Sequence, residues 1–385
     1  MIYLDNSATT PIHPEVKKTI IDALDLFGNP SSMHTTGREV RAILEKSRKD
    51  IADFLNCESS EIIFTAGASE ANNTVLKSAT NCCAFCENNR GHIITSNIEH
   101  PSVLNTVSCL GKKNVDISHI KVNKLGIIDP ADVEAAIRPD TMMISIMYIN
   151  NEIGTIQPIK EIAEIARKHN VPMHTDAVQA VGKIPIDLQK LPVDFLSMSG
   201  HKIYAPKGIG ILFKRKNAKN ICPLIVGGHQ ENSMRAGTEN TLGIIALGEA
   251  IRQCKIEMLE NKERITALRN KLEQGILSKL DKVRINGDPN KRVYNISNLS
   301  FTNIEGESIL LRLDMHGIMV STGSACSTGS LEPSYVITSL DVDPEIAHSS
   351  IRFSLGRETT EEDIDKTIEA VVETITFLRK ISPIK

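Results

Sequence analysis

The sequence predicts an α/β chain built on a mainly parallel sheet, followed by a smaller α+β part. Short β-branched runs alternate with longer helical runs over most of the first 245 residues. Strands spaced by helices imply right-handed crossovers, and hence parallel pairing. Beyond that point the character changes to a long charged helical run and then to mixed elements. The length, 385 residues, exceeds what one small core needs and favours two domains, or one large domain with an appendage.

Taken in order, Glu61 to Phe64 reads as a short strand, Thr65 to Glu70 as a Gly-containing turn, and a helix follows from about Ala71. His92 to Ser96 and Met142 to Tyr148 read as strands, and Ile159 to His169 has apolar residues at helical spacing. Val171 to Thr175, Phe195 to Ser199 and Gly210 to Phe213 are further strands. Residues 245–280 form the charged helical run. Val293 to Phe301 reads as a strand, Glu307 to His316 as a helix, and Ile351 to Leu355 as a strand. Thr360 to Arg379 is a helix that opens on acidic residues, as a helix N-terminus favours. No internal repeat and no low-complexity linker divides the chain.

Apolar residues are 41% and charged residues 24%, ordinary for a globular protein. The net charge of −3 gives no field that would attract nucleic acid or an anionic membrane. The run Lys214-Arg215-Lys216 reads as solvated surface. No stretch reaches the roughly 18 apolar residues of a membrane span. The opening residues lack a basic region followed by an apolar core, so a cytoplasmic location is expected. Eight cysteines are too few for a dense disulfide framework at this length, and thiols are expected.

Asp176 closes one strand, and His201 and Lys202 follow another. If these strands are neighbours, both side chains lie at the carboxyl edge of the sheet, where open α/β sheets bind ligands. A Lys facing an Asp is as a rule a plain ion pair. The surroundings add to it here. Ser199-Gly-His-Lys202 brings a hydroxyl and an imidazole, and Thr65-Ala-Gly-Ala-Ser-Glu70 joins a strand to a helix N-terminus suited to phosphate. An amine for a Schiff base, a carboxylate for a pyridine nitrogen and amides for a phosphate are what pyridoxal phosphate requires. No Walker motif or complete dinucleotide fingerprint competes.

With these residues in view, the chain resembles the cysteine desulfurases of the NifS/IscS type, in the class V aminotransferase group of fold-type I pyridoxal-phosphate enzymes. The matching segments run in family order. They are residues 3–11 (Tyr-Leu-Asp-Asn-Ser-Ala-Thr-Thr-Pro), 27–34, 150–155 (Asn-Asn-Glu-Ile-Gly-Thr), 174–179 (His-Thr-Asp-Ala-Val-Gln), 199–204 (Ser-Gly-His-Lys-Ile-Tyr), 235–240 (Arg-Ala-Gly-Thr-Glu-Asn), 322–326 (Thr-Gly-Ser-Ala-Cys) and 349–357. The resemblance implies a large domain over 15–250 with a mainly parallel seven-stranded sheet. It implies a smaller α+β domain from 1–14 and 251–385.

The resemblance also implies the roles. Lys202 would carry the cofactor and move protons, and Asp176 would hold the pyridinium nitrogen. Gln179 would bond the phenolic oxygen, with Asn151 beside cofactor and substrate. His100 would stack on the ring as an acid–base group, which an imidazole titrating near neutrality suits. Ala68, Ser69, Ser199 and His201 would grip the phosphate, completed by Thr238 from a second subunit of a homodimer. Arg352 would bind the substrate carboxylate through its planar fork.

Cys326 lies in the Ser/Gly-rich run 321–330, which reads as a mobile loop, whereas Cys57, Cys109, Cys222 and Cys254 read as core. Its thiolate would take sulfur from L-cysteine, leave alanine, and hold a persulfide. The stretch after it resembles the long-loop members, which deliver sulfur to an acceptor such as an iron–sulfur scaffold or a tRNA-thiolation enzyme.

Ser69 stands where the family commonly has Thr, and both offer a hydroxyl. Cys82, Cys83 and Cys86 form a cluster with metal-like spacing, but no fourth ligand is near in sequence; His92 is the closest imidazole, and no metal is expected. Selenocysteine lyase, an ordinary aminotransferase and a non-catalytic scaffold are the rival readings. The combination of Lys202, Asp176, His100 and Cys326 favours the desulfurase.

Overall fold

The computed structural model describes residues 1–79, 91–323 and 333–382. Cys82, Cys83, Cys86 and Cys326 lie outside them.

The chain runs β1 (Ile2–Tyr3), α1 (Pro14–Asp22), α2 (Thr35–Leu55), β2 (Ile62–Thr65), α3 (Ala68–Ala79), β3 (Gly91–Ser96), α4 (Pro101–Gly111) and β4 (Val115–Ile120). It continues with α5 (Pro130–Ala136), β5 (Thr141–Ser145), α6 (Ile159–Lys168), β6 (Met173–Asp176), β7 (Phe195–Ser199), β8 (Gly210–Lys214) and α7 (Thr241–Leu277). The last part holds β9 (Val283–Ile285), β10 (Ile296–Phe301), α8 (Gly306–Met315), β11 (Ile318–Met319), α9 (Tyr335–Thr338), α10 (Pro344–His348), β12 (Ser350–Ser354) and α11 (Glu361–Ile381).

Seven strands form one sheet in the order β2-β8-β7-β6-β5-β3-β4. Pairing is parallel from β7 through β6, β5 and β3 to β4, and only β8 runs antiparallel to its neighbours β7 and β2. This is the α/β, mainly parallel architecture expected. Successive residues of a strand face opposite sides. Ile62, Phe64, Ile94, Leu196 and Ile211 therefore pack into one apolar cluster, while Ile63, Ile93, Phe195 and Leu212 pack into another on the far face. Both faces are covered, which explains why these strands read as continuous apolar runs.

Helix α2 buries Val40, Leu44, Ile51 and Leu55 along one stripe. Each such side chain contributes roughly 1.5–3 kcal/mol on burial. Its ends are fixed by the His34 side chain, which accepts from Gly37 N–H, and by Asn56 in the left-handed conformation. A separate cluster joins Leu4 and the apolar faces of α8 and α11 to β10 and β12, with Leu268, Leu272 and Ile276 from the second half of α7. The three-stranded sheet β12-β10-β9 is antiparallel. Helix α11 opens on a capping box in which Thr360 and Asp363 satisfy each other's backbone N–H.

The strand expected over 142–148 is regular only to Ser145, yet Ile146 and Tyr148 go on donating to the carbonyls of His174 and Asp176. Two expectations are corrected. Cys109 is exposed rather than core, because α4 buries Val103, Thr106, Val107 and Leu110 and turns Cys109 away from that stripe. Arg215 is not free surface: Nε donates to Val193 O at 2.8 Å, and Nη2 donates to Leu188 O and Leu191 O at 2.9 Å. Among the described residues no helix is long and apolar enough to cross a membrane.

Candidate active site

A cavity of about 430 Å³ opens at the carboxyl ends of the parallel strands. Asp176 is the last residue of β6, Ser199 the last of β7, and α3 begins three residues after β2 ends. The turn passes through Gly67, whose φ of +152° disfavours a side chain, and where a Cβ would be in ordinary contact with Ser199 Oγ at 3.6 Å. Strand β8 approaches so closely that a Cβ on Gly210 would meet Gly67 Cα at 2.8 Å. The sheet thus places the turn, the Ser199 hydroxyl and the first N–H groups of α3 on one rim.

Of the residues expected from the sequence, Ala68, Ser69, His100, Asn151, Asp176, Gln179, Ser199, His201, Lys202 and Arg352 all line this cavity. Thr238 is exposed and does not line it. Cys326 is outside the described residues.

Asp176 is buried, and its two oxygens are engaged separately. Oδ1 accepts from Val178 N–H at 3.0 Å, and Oδ2 accepts from Asn72 Nδ2 at 2.8 Å. The same Asn72 amide donates to Ser102 Oγ at 2.9 Å. Ser102 Oγ in turn lies 2.8 Å from His100 Nδ1. His100 caps α4, so its Nδ1 also accepts from Ser102 N–H at 3.1 Å. A ring nitrogen that accepts from a backbone N–H carries no proton. The neutral imidazole therefore holds its proton on Nε2, and Nε2 is the atom that can gain or lose one. Burial lowers the His100 pKa; Asp176 opposes this and the Lys202 charge adds to it.

Lys202 follows β7 in a single helical turn, and its Nζ donates to the carbonyls of Ser7 and, at 2.7 Å, Ala8. The segment that supplies these carbonyls is tied down on both sides. Ser7 N–H donates to Ser354 Oγ at 2.9 Å, and Thr10 N–H donates to His201 O at 2.9 Å. His201 is pushed down to about 4, first by burial and then by Lys202 and further lysines, and so stays neutral. Gln179 is buried, with Nε2 donating to Ser7 O at 3.0 Å.

Arg352 is 1% exposed. Its Nη2 pairs with Asp5 Oδ1 at 2.6 Å and its Nη1 donates to Asn151 O at 2.9 Å, while Nε has no partner. Ser7 Oγ and Asn151 Oδ1 are likewise buried without a partner. Three polar atoms of residues that line the cavity thus lack a partner within the fold.

Sequence reasoning did not single out Asn72, Ser102, Glu99, Lys183 or the Ser7 and Ala8 carbonyls. Asn72 carried a signal, since it stands one helical turn after Ala68 and so shares its face. Glu99 is fully buried. Its Oε1 accepts from Ser96 Oγ at 2.6 Å and Met147 N–H at 2.9 Å, and burial pushes the carboxyl up to about 8. His92, the imidazole nearest the cysteine cluster in sequence, has both ring nitrogens engaged, by Thr141 Oγ1 at 2.9 Å and Ser118 Oγ at 2.8 Å.

Known proteins are similar to this chain over nearly its whole length. The model of the class-V aminotransferase family matches residues 2–367. A protein named cysteine desulfurase IscS from Dictyoglomus turgidum is 48% identical over 386 residues, covering 100% of this chain and 97% of that protein. One of the same name from Methanosarcina thermophila is 47% identical, covering 100% and 94%. The solved structure of a NifS-like protein from Rickettsia africae superposes with a TM-score of 0.87 at 36% identity, over 98% of this chain and 99% of that one. The sheet order, the cavity at its carboxyl edge and these full-length matches agree: the chain belongs to the class-V aminotransferase family, in its NifS/IscS-type branch.

Proposed function

We propose that this protein is a pyridoxal-phosphate-dependent cysteine desulfurase. It converts L-cysteine to L-alanine and holds the sulfur as a persulfide on Cys326, for iron–sulfur cluster assembly or thiolation. The observation that carries this reading is the meeting of Lys202, Asp176 and His100 in one cavity.

The residues fit the cofactor. An amine and a buried carboxylate face the same space, and the N-terminus of α3 with Ser69 and Ser199 gives a phosphate cradle. Ser7 Oγ, Asn151 Oδ1 and Arg352 Nε are buried donors or acceptors still to be satisfied. Bound pyridoxal phosphate supplies an electron sink for bonds at the substrate's α- and β-carbons.

The chain's own groups do the rest. Asp176, kept in place by Asn72 and Val178 N–H, would hold the proton of the cofactor's ring nitrogen. Lys202 would anchor the cofactor and supply an amine for proton transfer. His100 would offer Nε2 as a second acid–base atom, since its other nitrogen is engaged. Gln179 would donate to the phenolic oxygen, with Asn151 nearby. Ala68, Ser69, Ser199 and His201 would hold the phosphate, and Arg352 would receive the substrate carboxylate. Cys326 attacks the substrate sulfur as a thiolate. The S–S bond forms as the carbon–sulfur bond breaks, and the bonding pair leaves with the carbon skeleton, which is protonated to alanine.

The working unit is a homodimer in which Thr238 of each subunit completes the other's phosphate cup. Exposure of Thr238, Phe27 and Val226 supports this. Residues 15–250 form the large cofactor-binding domain, and 1–14 with 251–385 the small one; the clusters around Val16 and Leu4 support that division, with Val293 and Ile296 packing across it into the first. The acceptor is a protein in the same reducing, cytoplasmic compartment.

Alanine released from L-cysteine by protein carrying the cofactor tests the reading. Lys202→Ala should abolish it while the cofactor stays bound without a covalent link. Cofactor-loaded protein that makes no alanine would overturn the assignment.

A further inference from the structure

Lys183 is a lysine where none is needed for solubility: it is 7% exposed and lies behind the cavity wall. Its Nζ donates to Gln179 Oε1 at 3.1 Å. At the other end of the same amide, Gln179 Nε2 donates to Ser7 O at 3.0 Å. Ser7 O also accepts from Lys202 Nζ. The two lysines are therefore joined through one amide and one carbonyl.

An amide has an acceptor end and a donor end, and nothing in the shape of glutamine says which faces the cavity. An ammonium has donors only, and the neutral amine still keeps two N–H groups for an oxygen. We infer that Lys183 is a positioning residue for Gln179: by holding Oε1 from behind, it turns the Gln179 NH2 toward Ser7 O and leaves the second N–H for the cavity that Gln179 lines. With this partner absent, Ser7 O alone would select the orientation, and a turned amide would present an acceptor to the cofactor's phenolic oxygen, which needs a donor.

The groups facing Lys183 agree with this. Burial, and then the Lys202 charge, push its amine down to about 7, and Cys254 from α7 opposes that. His13, Tyr204, Glu257 and Tyr294 line the same small cavity behind it. Burying an amine among these groups is costly unless it is hydrogen-bonded, and the bond it makes is to Gln179 Oε1.

The inference rests on the proposed cofactor reading and is tested apart from turnover. The visible band of the cofactor-loaded protein is titrated with pH, because it reports the proton on the Lys202 nitrogen. Loss of a donor to the phenolic oxygen strengthens the hold on that proton, so Lys183→Met should raise the apparent pKa by about one unit. In a Gln179→Leu background the same substitution should shift it by less than half as much, since the intermediary is gone. Lys183→Gln, which keeps an N–H donor and drops the charge, should stay nearer wild type than Lys183→Met. Equal shifts in both backgrounds, or equal shifts for Met and Gln, would mean that Lys183 acts by its charge alone and would overturn the inference. No shift at all would overturn it too. Wild-type protein that turns over L-cysteine in the same preparation keeps the enzyme reading intact whichever result appears.

Discussion

Asn72 donates to Asp176 Oδ2 at 2.8 Å from a position 104 residues earlier in the chain. Its amide also holds Ser102 Oγ, which lies against His100 Nδ1. The carboxylate beneath the cavity and the imidazole on its wall are thereby set by one side chain. Hydrogen bonds to charged groups contribute about 1.5–3 kcal/mol. Asn72→Leu should lower kcat by roughly ten- to a hundredfold and weaken cofactor retention on dialysis. Unchanged kcat and unchanged retention would remove Asn72 from the account.

The carboxyl of Glu99 sits well above its ordinary range, at about 8, chiefly through burial. Its folded pKa exceeds the unfolded one, so the folded state keeps a proton that the unfolded chain releases. The group therefore takes stability away as pH rises from about 4.5 through 8. Glu99→Gln cannot ionise. The unfolding free energy from denaturant titration should fall less between pH 5 and pH 8 in the variant than in wild type, by about 1 kcal/mol or more. Parallel pH dependences would show that Glu99 does not carry the effect.

Arg352 keeps Nε without a partner, while Nη2 pairs with Asp5 and Nη1 donates to Asn151 O, contacts that a substrate carboxylate would share or displace. A lysine there would retain the charge opposite Asp5 but lose the fork that grips a carboxylate. Arg352→Lys should raise KM for L-cysteine by roughly tenfold or more with a smaller change in kcat. A fall in kcat at constant KM would place Arg352 in the chemical step instead.

Much of this was legible in the chain. Runs such as Glu-Ile-Ile-Phe and Phe-Leu-Ser-Met-Ser announced buried strands, because strands covered on both faces need not alternate. Asp176 and Lys202 followed from where two such runs end. Strand β4 was not read, since it lies at the sheet edge and buries only Val115 and Ile120 at its two ends. Helix α2 escaped because its apolar stripe is diluted by charged residues and its caps are a His and an Asn. The Asn72 and Lys183 contacts could not be read at all. One depends on partners 30 and 104 residues away, and a lysine reads as surface until its burial is seen. The Ser7 and Ala8 carbonyls have no side-chain signal.

The central claim is that Cys326 takes sulfur from L-cysteine at the cavity of Lys202 and Asp176. The most direct measurement mixes cofactor-loaded protein with L-cysteine in the absence of reductant, counts alanine, and weighs the peptide that contains Cys326. The account predicts alanine in step with one added sulfur on that peptide, and neither sulfide release nor sulfur gain in Cys326→Ser. Alanine with the sulfur on Cys83 or Cys86, or normal desulfuration by Cys326→Ser, would contradict it.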